Sequence, residues 1–196
     1  MSVTINASTS SGLVQTADTS GSLVLQSNGT TQFTVDSTGA YGQIERGTAV
    51  TSTSGTSIDF TSLPSWVKRI TVMFSGVSTN GSSNYLIQAI TGTSTVVNSG
   101  YSSSASTGAS GATSTAGNVL MAATGAGTVY NIAATLVNVT GNTWLTNCVG
   151  GTGASNAGNI SGGTVSLGAV LTGVRITTVN GTDTFDAGTI NILYEG

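Results

Sequence analysis

Ser22-Leu23-Val24-Leu25-Gln26-Ser27-Asn28-Gly29-Thr30-Thr31-Gln32-Phe33-Thr34-Val35 is the stretch on which the fold turns. Leu23 and Leu25 fall on one side of a period of two, and Phe33 and Val35 do the same after the break. The break is Asn-Gly, the pair best suited to a two-residue hairpin turn, because both residues tolerate positive φ. Working outward, Asp18-Thr19-Ser20-Gly21 returns eighteen residues later as Asp36-Ser37-Thr38-Gly39. Turn signals at that spacing predict a strand–turn–strand–turn–strand meander over about residues 13–44. Three thin strands need an apolar surface to pack on. That surface is either the rest of the chain, with the meander as its β-arm, or further copies of the meander. In the second case Leu23, Leu25, Phe33 and Val35 form the interface of a homotrimer.

Beyond a Ser/Thr/Gly stretch at 47–57, short alternating runs continue to the C-terminus. Ile70, Val72 and Phe74 share one face. Asn84-Tyr85-Leu86-Ile87-Gln88-Ala89-Ile90 follows the turn Asn80-Gly81. Tyr130, Ile132, Ala134 and Leu136 alternate within residues 128–139. Val170, Thr172, Val174 and Ile176 alternate within 169–179, and Ile190, Ile192 and Tyr194 within 189–194. Turns are expected at Gly141-Asn142, Asn180-Gly181 and Ala187-Gly188. No segment carries a 3.6-residue period with caps. The chain therefore reads as all-β: an N-terminal meander or shaft, residues 1–46, followed by an antiparallel, jelly-roll-like β-sandwich knob, residues 47–196. Residues 101–117, nearly all Ser, Ala, Thr and Gly, and residues 150–163, with six Gly, are expected as long surface loops or extended edge strands.

Composition removes whole classes of function. Ser, Thr and Gly make up 91 of 196 residues, and only 6% are charged. With no His and one Cys, there is no His/Cys metal site, no Ser-His or Cys-His catalytic pair and no internal disulfide. Four Lys+Arg against seven Asp+Glu argue against tracking a nucleic-acid backbone. Residues 70–174 hold no charged side chain, a run of 105 that offers nothing for general acid–base chemistry. The N-terminus lacks a basic region and an apolar core, and no run approaches 18 apolar residues, so neither a signal peptide nor a membrane span is expected. The apolar share, 38%, is too high for a disordered chain.

A few side chains still invite a chemical reading. Asp183 and Asp186 are close in sequence, but two carboxylates in a turn fall short of the six to eight oxygens that Ca²⁺ takes, so a solvated turn is expected. Lys68 and Arg69 point to opposite faces if they lie on a strand. Arg175 is expected to pair with a carboxylate that the sequence does not identify, and Cys148 to be a buried apolar residue. Trp66, Trp144, Tyr85, Tyr101 and Tyr130 suit stacking on sugar rings, with Tyr101 and Trp144 the candidate ligand contacts; aromatic residues in strands are more often core. No catalytic, cofactor or metal residue is assigned.

Two strings carry a resemblance. Leu63-Pro64-Ser65-Trp66-Val67-Lys68-Arg69-Ile70-Thr71-Val72-Met73-Phe74, with Gly76-Val77-Ser78-Thr79-Asn80-Gly81, is one. Val174-Arg175-Ile176-Thr177-Thr178-Val179-Asn180-Gly181-Thr182-Asp183-Thr184-Phe185-Asp186-Ala187-Gly188 is the other. Both resemble a domain at the distal ends of tailed-bacteriophage fibre and appendage proteins, over about residues 48–196. Residues 12–44 resemble the β-rich repeats of fibre shafts. The resemblance implies a virion surface protein, usually homotrimeric, with a β-sandwich knob and no catalytic residues. The short shaft-like part favours a short fibre or a capsid-decoration protein that contacts other virion proteins, of capsid or tail, through its N-terminal segment. The alternative is a tail-fibre or baseplate module that binds a receptor or a host surface glycan.

Overall fold

The computed structural model describes residues 23–36, 39–41, 44–108, 110–121, 125–153 and 158–196. The turn expected at residues 18–21 lies outside them. The chain divides into two compact units, Met1–Gln43 and Ile44–Gly196. Among the described residues there is no helix, and every strand pairing is antiparallel.

The first unit is a three-stranded meander of β1 (Leu23–Ser27), β2 (Thr30–Asp36) and β3 (Gly39–Tyr41). Asn28 and Gly29 both have positive φ, 50° and 76°, and Ser27 pairs with Thr30. This is the two-residue turn whose twist matches that of the flanking strands. Leu23 pairs across with Val35 and Leu25 with Phe33, so the four apolar side chains do share a face. On that face Leu23, Leu25 and Phe33 are 42%, 44% and 36% exposed.

The second unit is a β-sandwich. Its strands are β4 (Ile44–Arg46), β5 (Val50–Thr51), β6 (Ile58–Phe60), β7 (Arg69–Thr79), β8 (Tyr85–Thr91), β9 (Thr95–Val96), β10 (Tyr101–Ser106), β11 (Gly111–Ser114), β12 (Asn118–Val119), β13 (Tyr130–Thr140), β14 (Thr143–Thr152), β15 (Gly158–Ser166), β16 (Leu171–Thr178) and β17 (Phe185–Glu195). The larger sheet runs β11-β10-β15-β14-β13-β7-β17-β4, with β5 also on β17. The smaller runs β12-β8-β16-β6, with β9 on β8. Residues 44–46, assigned to the N-terminal segment from sequence, form β4 and pair with β17.

The main core cluster is contributed by both sheets, and Leu86, Ala105 and Val119 form a second, smaller one. Ile70, Val72 and Phe74 of β7, Tyr130 to Leu136 in alternation on β13, and Ile190 and Ile192 of β17 face Ile87, Val174 and Ile176 of the smaller sheet. Ile70, Val72, Ile87, Val174, Ile176 and Ile190 have no exposed surface. Each such aliphatic side chain contributes about 1.5–3 kcal/mol on leaving water. Phe74, Tyr85, Tyr130 and Phe185 add an aromatic chain across the core. The Phe74 and Tyr130 rings meet Tyr85 edge-on, at 5.5 and 5.6 Å, and Phe185 stacks on it at 6.2 Å.

Three local expectations are corrected. Val170 does not share the inner face of Val174 and Ile176: it precedes β16 and is exposed, and Leu171 points inward instead. A register shift between Leu171 and Gly173 changes the phase of the alternation. Ala187-Gly188 is not a turn but lies inside β17, where the register against β7 slips on both sides of Ala187. Gly188 has φ +93°, and opposite it Gly76 of β7 has φ +67°. The long segments are strands of the larger sheet. Residues 101–114 form the β10–β11 hairpin at its edge, whereas β15 lies inside the sheet between β10 and β14.

Candidate functional site

The aromatic candidates come first, because stacking on a ligand needs an open ring face. Tyr101, at the start of β10, is 3% exposed and Trp144, at the start of β14, is 4% exposed. Both belong to the core cluster, and the register places both opposite Val165 of β15. The Tyr101 hydroxyl accepts a hydrogen bond from the Ala89 backbone N–H of the other sheet at 2.7 Å, and burial pushes the phenol up to about 12. Neither ring offers a face to a sugar, so the ligand-contact assignment of Tyr101 and Trp144 is withdrawn in favour of the core reading. Tyr85 and Tyr130 are equally buried. Trp66 is half-buried, its ring tilted against Tyr194 at 5.9 Å.

The carboxylates are tied up separately. Asp183 Oδ2 accepts from the Ser83 N–H at 2.9 Å, and its Oδ1 accepts from the Asn180 amide at 2.5 Å. Asn80 Oδ1 accepts from the Thr184 N–H at 2.9 Å. Together these bonds fasten the turn after β7 to the turn before β17. Gly81 is small because a Cβ there would lie 2.1 Å from the Asp183 carboxyl carbon. Asp186 accepts from the Ser78 hydroxyl. The two carboxylates therefore each hold a loop or strand end and do not form a shared pair. Among the described residues, no three His, Cys, Asp or Glu side chains are grouped to hold a metal ion, and no helix is long and apolar enough to cross a membrane.

The cations also find partners across strands. Arg175 lies directly opposite Asp59, and its Nε and Nη2 donate to the two carboxylate oxygens, each at 2.7 Å. The partner that the sequence left unnamed is therefore Asp59, and the carboxylate raises the guanidinium pKa further. Arg69 donates to Glu195, its partner in the β7–β17 register, and Lys68 is exposed just before β7. Cys148 is buried as expected, and desolvation pushes its thiol up to about 11.

At the larger sheet's edge, next to a concavity of about 440 Å³ that shares Ser104, Thr113 and Gly162, is an open groove of about 500 Å³. Residues 104–106 of β10, 111–113 of β11 and 160–162 of β15 line it. Its walls are Ser and Thr hydroxyls, Ala methyls, glycine backbone and Ile160. Such a lining supplies hydrogen bonds and apolar contact to a neutral ligand but no general acid or base. From the sequence the segments that build it read as long loops or extended edge strands, and neither reading locates a groove. No family model matches the chain, and comparison with curated proteins and with solved structures finds no match.

Proposed function

We propose that the chain is a non-catalytic surface protein of a tailed-bacteriophage virion, a short trimeric fibre or capsid-decoration protein. The N-terminal unit docks on other virion proteins and trimerises, and the sandwich is the outward knob. The observation that carries this reading is the aligned apolar face of the meander. Leu23, Leu25 and Phe33 are aligned by the β1–β2 register and about two-fifths exposed. A three-stranded unit of this size needs a covering surface, and closed threefold symmetry supplies one while limiting free strand edges. The two strings that resemble fibre-tip domains support the assignment to a virion. A chain with only four Lys and Arg also presents few trypsin sites, which suits a protein exposed outside cells.

The test has two parts. Sedimentation of the full chain should give three copies of 19.3 kDa, about 58 kDa, and Leu23→Glu with Leu25→Glu should reduce it to smaller species. Immunogold labelling of intact virions should then decorate the head or the tail. A monomer at every concentration would remove the trimer, and unlabelled virions would remove the virion assignment.

A second reading, attachment to a neutral host glycan, is favoured by the hydroxyl-lined groove between β10, β11 and β15. A glycan array in which Ile160→Trp blocks a bound saccharide would support it, and an array with no binding would refute it.

A further inference from the structure

The outer face of the larger sheet is the least ordinary surface of the knob. In a solvated antiparallel sheet the outward positions are polar. Here the register sets Met73, Ala133, Val149 and Ile160 in one row across β7, β13, β14 and β15. Four residues along β14, Leu145 lies opposite Val137 in a second row. Val149 and Ile160 are 67% and 64% exposed, and Leu145 51%. No residue of β10, β11, β13, β14 or β15 carries a charge.

We infer that this face is a docking surface for a second copy of the chain. The inference rests on the reading of the chain as a self-assembling surface protein, and adds a contact within the sandwich unit to the one proposed for the meander. Size is the first argument. Four strands about 4.8 Å apart and about ten residues long present roughly 650 Å². Two copies would bury about 1,300 Å² together, within the range of about 1,200–2,000 Å² of specific interfaces. Charge is the second. The chain is net −3, yet the charged residue of these four strands, Arg69 beside Val137 at the end of the second row, is paired with Glu195 of β17. Two such faces therefore meet with no net charge opposed, and a partner recognised through its charge would find only a neutralised ion pair. An apolar row with Thr and Asn between its members also has the composition of an interface core rather than of a surface facing water.

The experiment uses the full chain. Val149→Glu with Ile160→Glu places charge on the face without disturbing the core, because both side chains point outward. Self-association measured by sedimentation should weaken at least about ten-fold, with the circular dichroism spectrum and melting unchanged. In a separate variant, Val149→Cys should react with a maleimide when dilute and be protected at concentrations where the chain assembles; the native Cys148 is buried. If the double Glu variant associates as the wild type does, while Leu23→Glu with Leu25→Glu dissociates, this inference is wrong and the meander-based trimer stands. If the wild type is a monomer throughout, both fall. A Val149→Cys thiol that stays reactive in the purified oligomer but is protected in virions would identify the occupant as another virion protein and overturn the second-copy assignment.

Discussion

Gly188 and Gly92 allow one quantity to be isolated. Both have positive φ, +93° and +59°. An Ala at either position therefore bears a conformational cost of about 1–2 kcal/mol, partly offset by about 0.4–1 kcal/mol from the stiffer unfolded chain. Their surroundings differ. Nothing lies within 4 Å of a Cβ on Gly92, whereas a Cβ on Gly188 would be 2.4 Å from the Gly76 carbonyl oxygen and 2.6 Å from the Val77 nitrogen. Those atoms are backbone of β7, which is held on its other side by β13, with the Gly76 N–H donating to the Asn131 side chain at 3.0 Å. The strand cannot yield as a flexible side chain does, so overpacking adds about 1–3 kcal/mol. Gly92→Ala should thus cost about 1 kcal/mol and Gly188→Ala about 2–4 kcal/mol. Urea unfolding of the two variants, with m-values matched to the wild type, measures the difference directly. Should Gly188→Ala be no worse than Gly92→Ala within about 0.5 kcal/mol, the tight bulge contact between β7 and β17 does not constrain the sheet as argued.

Two further outcomes follow from the buried groups. Tyr101→Phe keeps the ring in the core and removes only the acceptor of the Ala89 N–H; leaving that donor buried should cost about 1–3 kcal/mol in the same unfolding assay, and a neutral substitution would mean the bond is dispensable. The Cys148 thiol is pushed from its ordinary 9.0 to about 11 by desolvation, so the folded state holds its proton more tightly than the unfolded chain does. Its contribution is fully present below pH 9 and is lost as the pH rises from 9 through 11, by at most about 3 kcal/mol. Cys148→Ala should flatten the decline between pH 9 and 10, before the buried Tyr85 and Tyr101, ordinarily 10.0 and raised to about 12, begin to weigh in both proteins. The same slope in both would place the alkaline loss elsewhere.

The sandwich was legible wherever its two faces differ in polarity. On β7, β13 and β17 the inner row is aliphatic or aromatic and the outer row is mostly Thr, Asn, Ser or Ala, so a period of two is visible without coordinates. The Asn28-Gly29 hairpin was legible for a local reason, since its two positive φ values leave few alternatives. Residues 101–117 and 150–163 read only as long surface loops or extended edge strands, because the contrast vanishes or inverts there. On β14, Thr146 and Cys148 point inward while Leu145 and Val149 point out. On β15, Asn159 is 2% exposed and its neighbour Ile160 is 64% exposed. At β10 an inward polar residue is accommodated by bonds that sequence does not display: the Ser103 hydroxyl donates to the carbonyls of Ser114 and Gly117 and accepts from the Val119 N–H. The candidate site failed for a related reason. Tyr101 and Trp144 stand at the heads of unrecognised strands, so their phase, and with it their burial, could not be assigned.

On β14 and β15 the alternation fails and the outer surface is apolar, and the two facts have one cause. A strand whose outward side is exposed to water gains nothing from Leu145, Val149 or Ile160 at those positions, and an exposed row of this kind invites association. A strand that spends part of its life against another surface gains from them, at about 25 cal/mol for each Å² of apolar area covered. The inverted pattern on β14 and β15 is what the proposed second-copy contact would produce: one face covered by the smaller sheet of the same chain, the other by a second chain. The same logic applies to the meander, where Leu23, Leu25 and Phe33 are aligned and about two-fifths exposed. Two separate surfaces of one chain thus ask for a partner, and neither carries a net charge that would select a foreign one. A chain nearly devoid of titratable side chains, whose described strands all pair antiparallel and whose sandwich exposes an apolar row, fits the assembling role proposed for it.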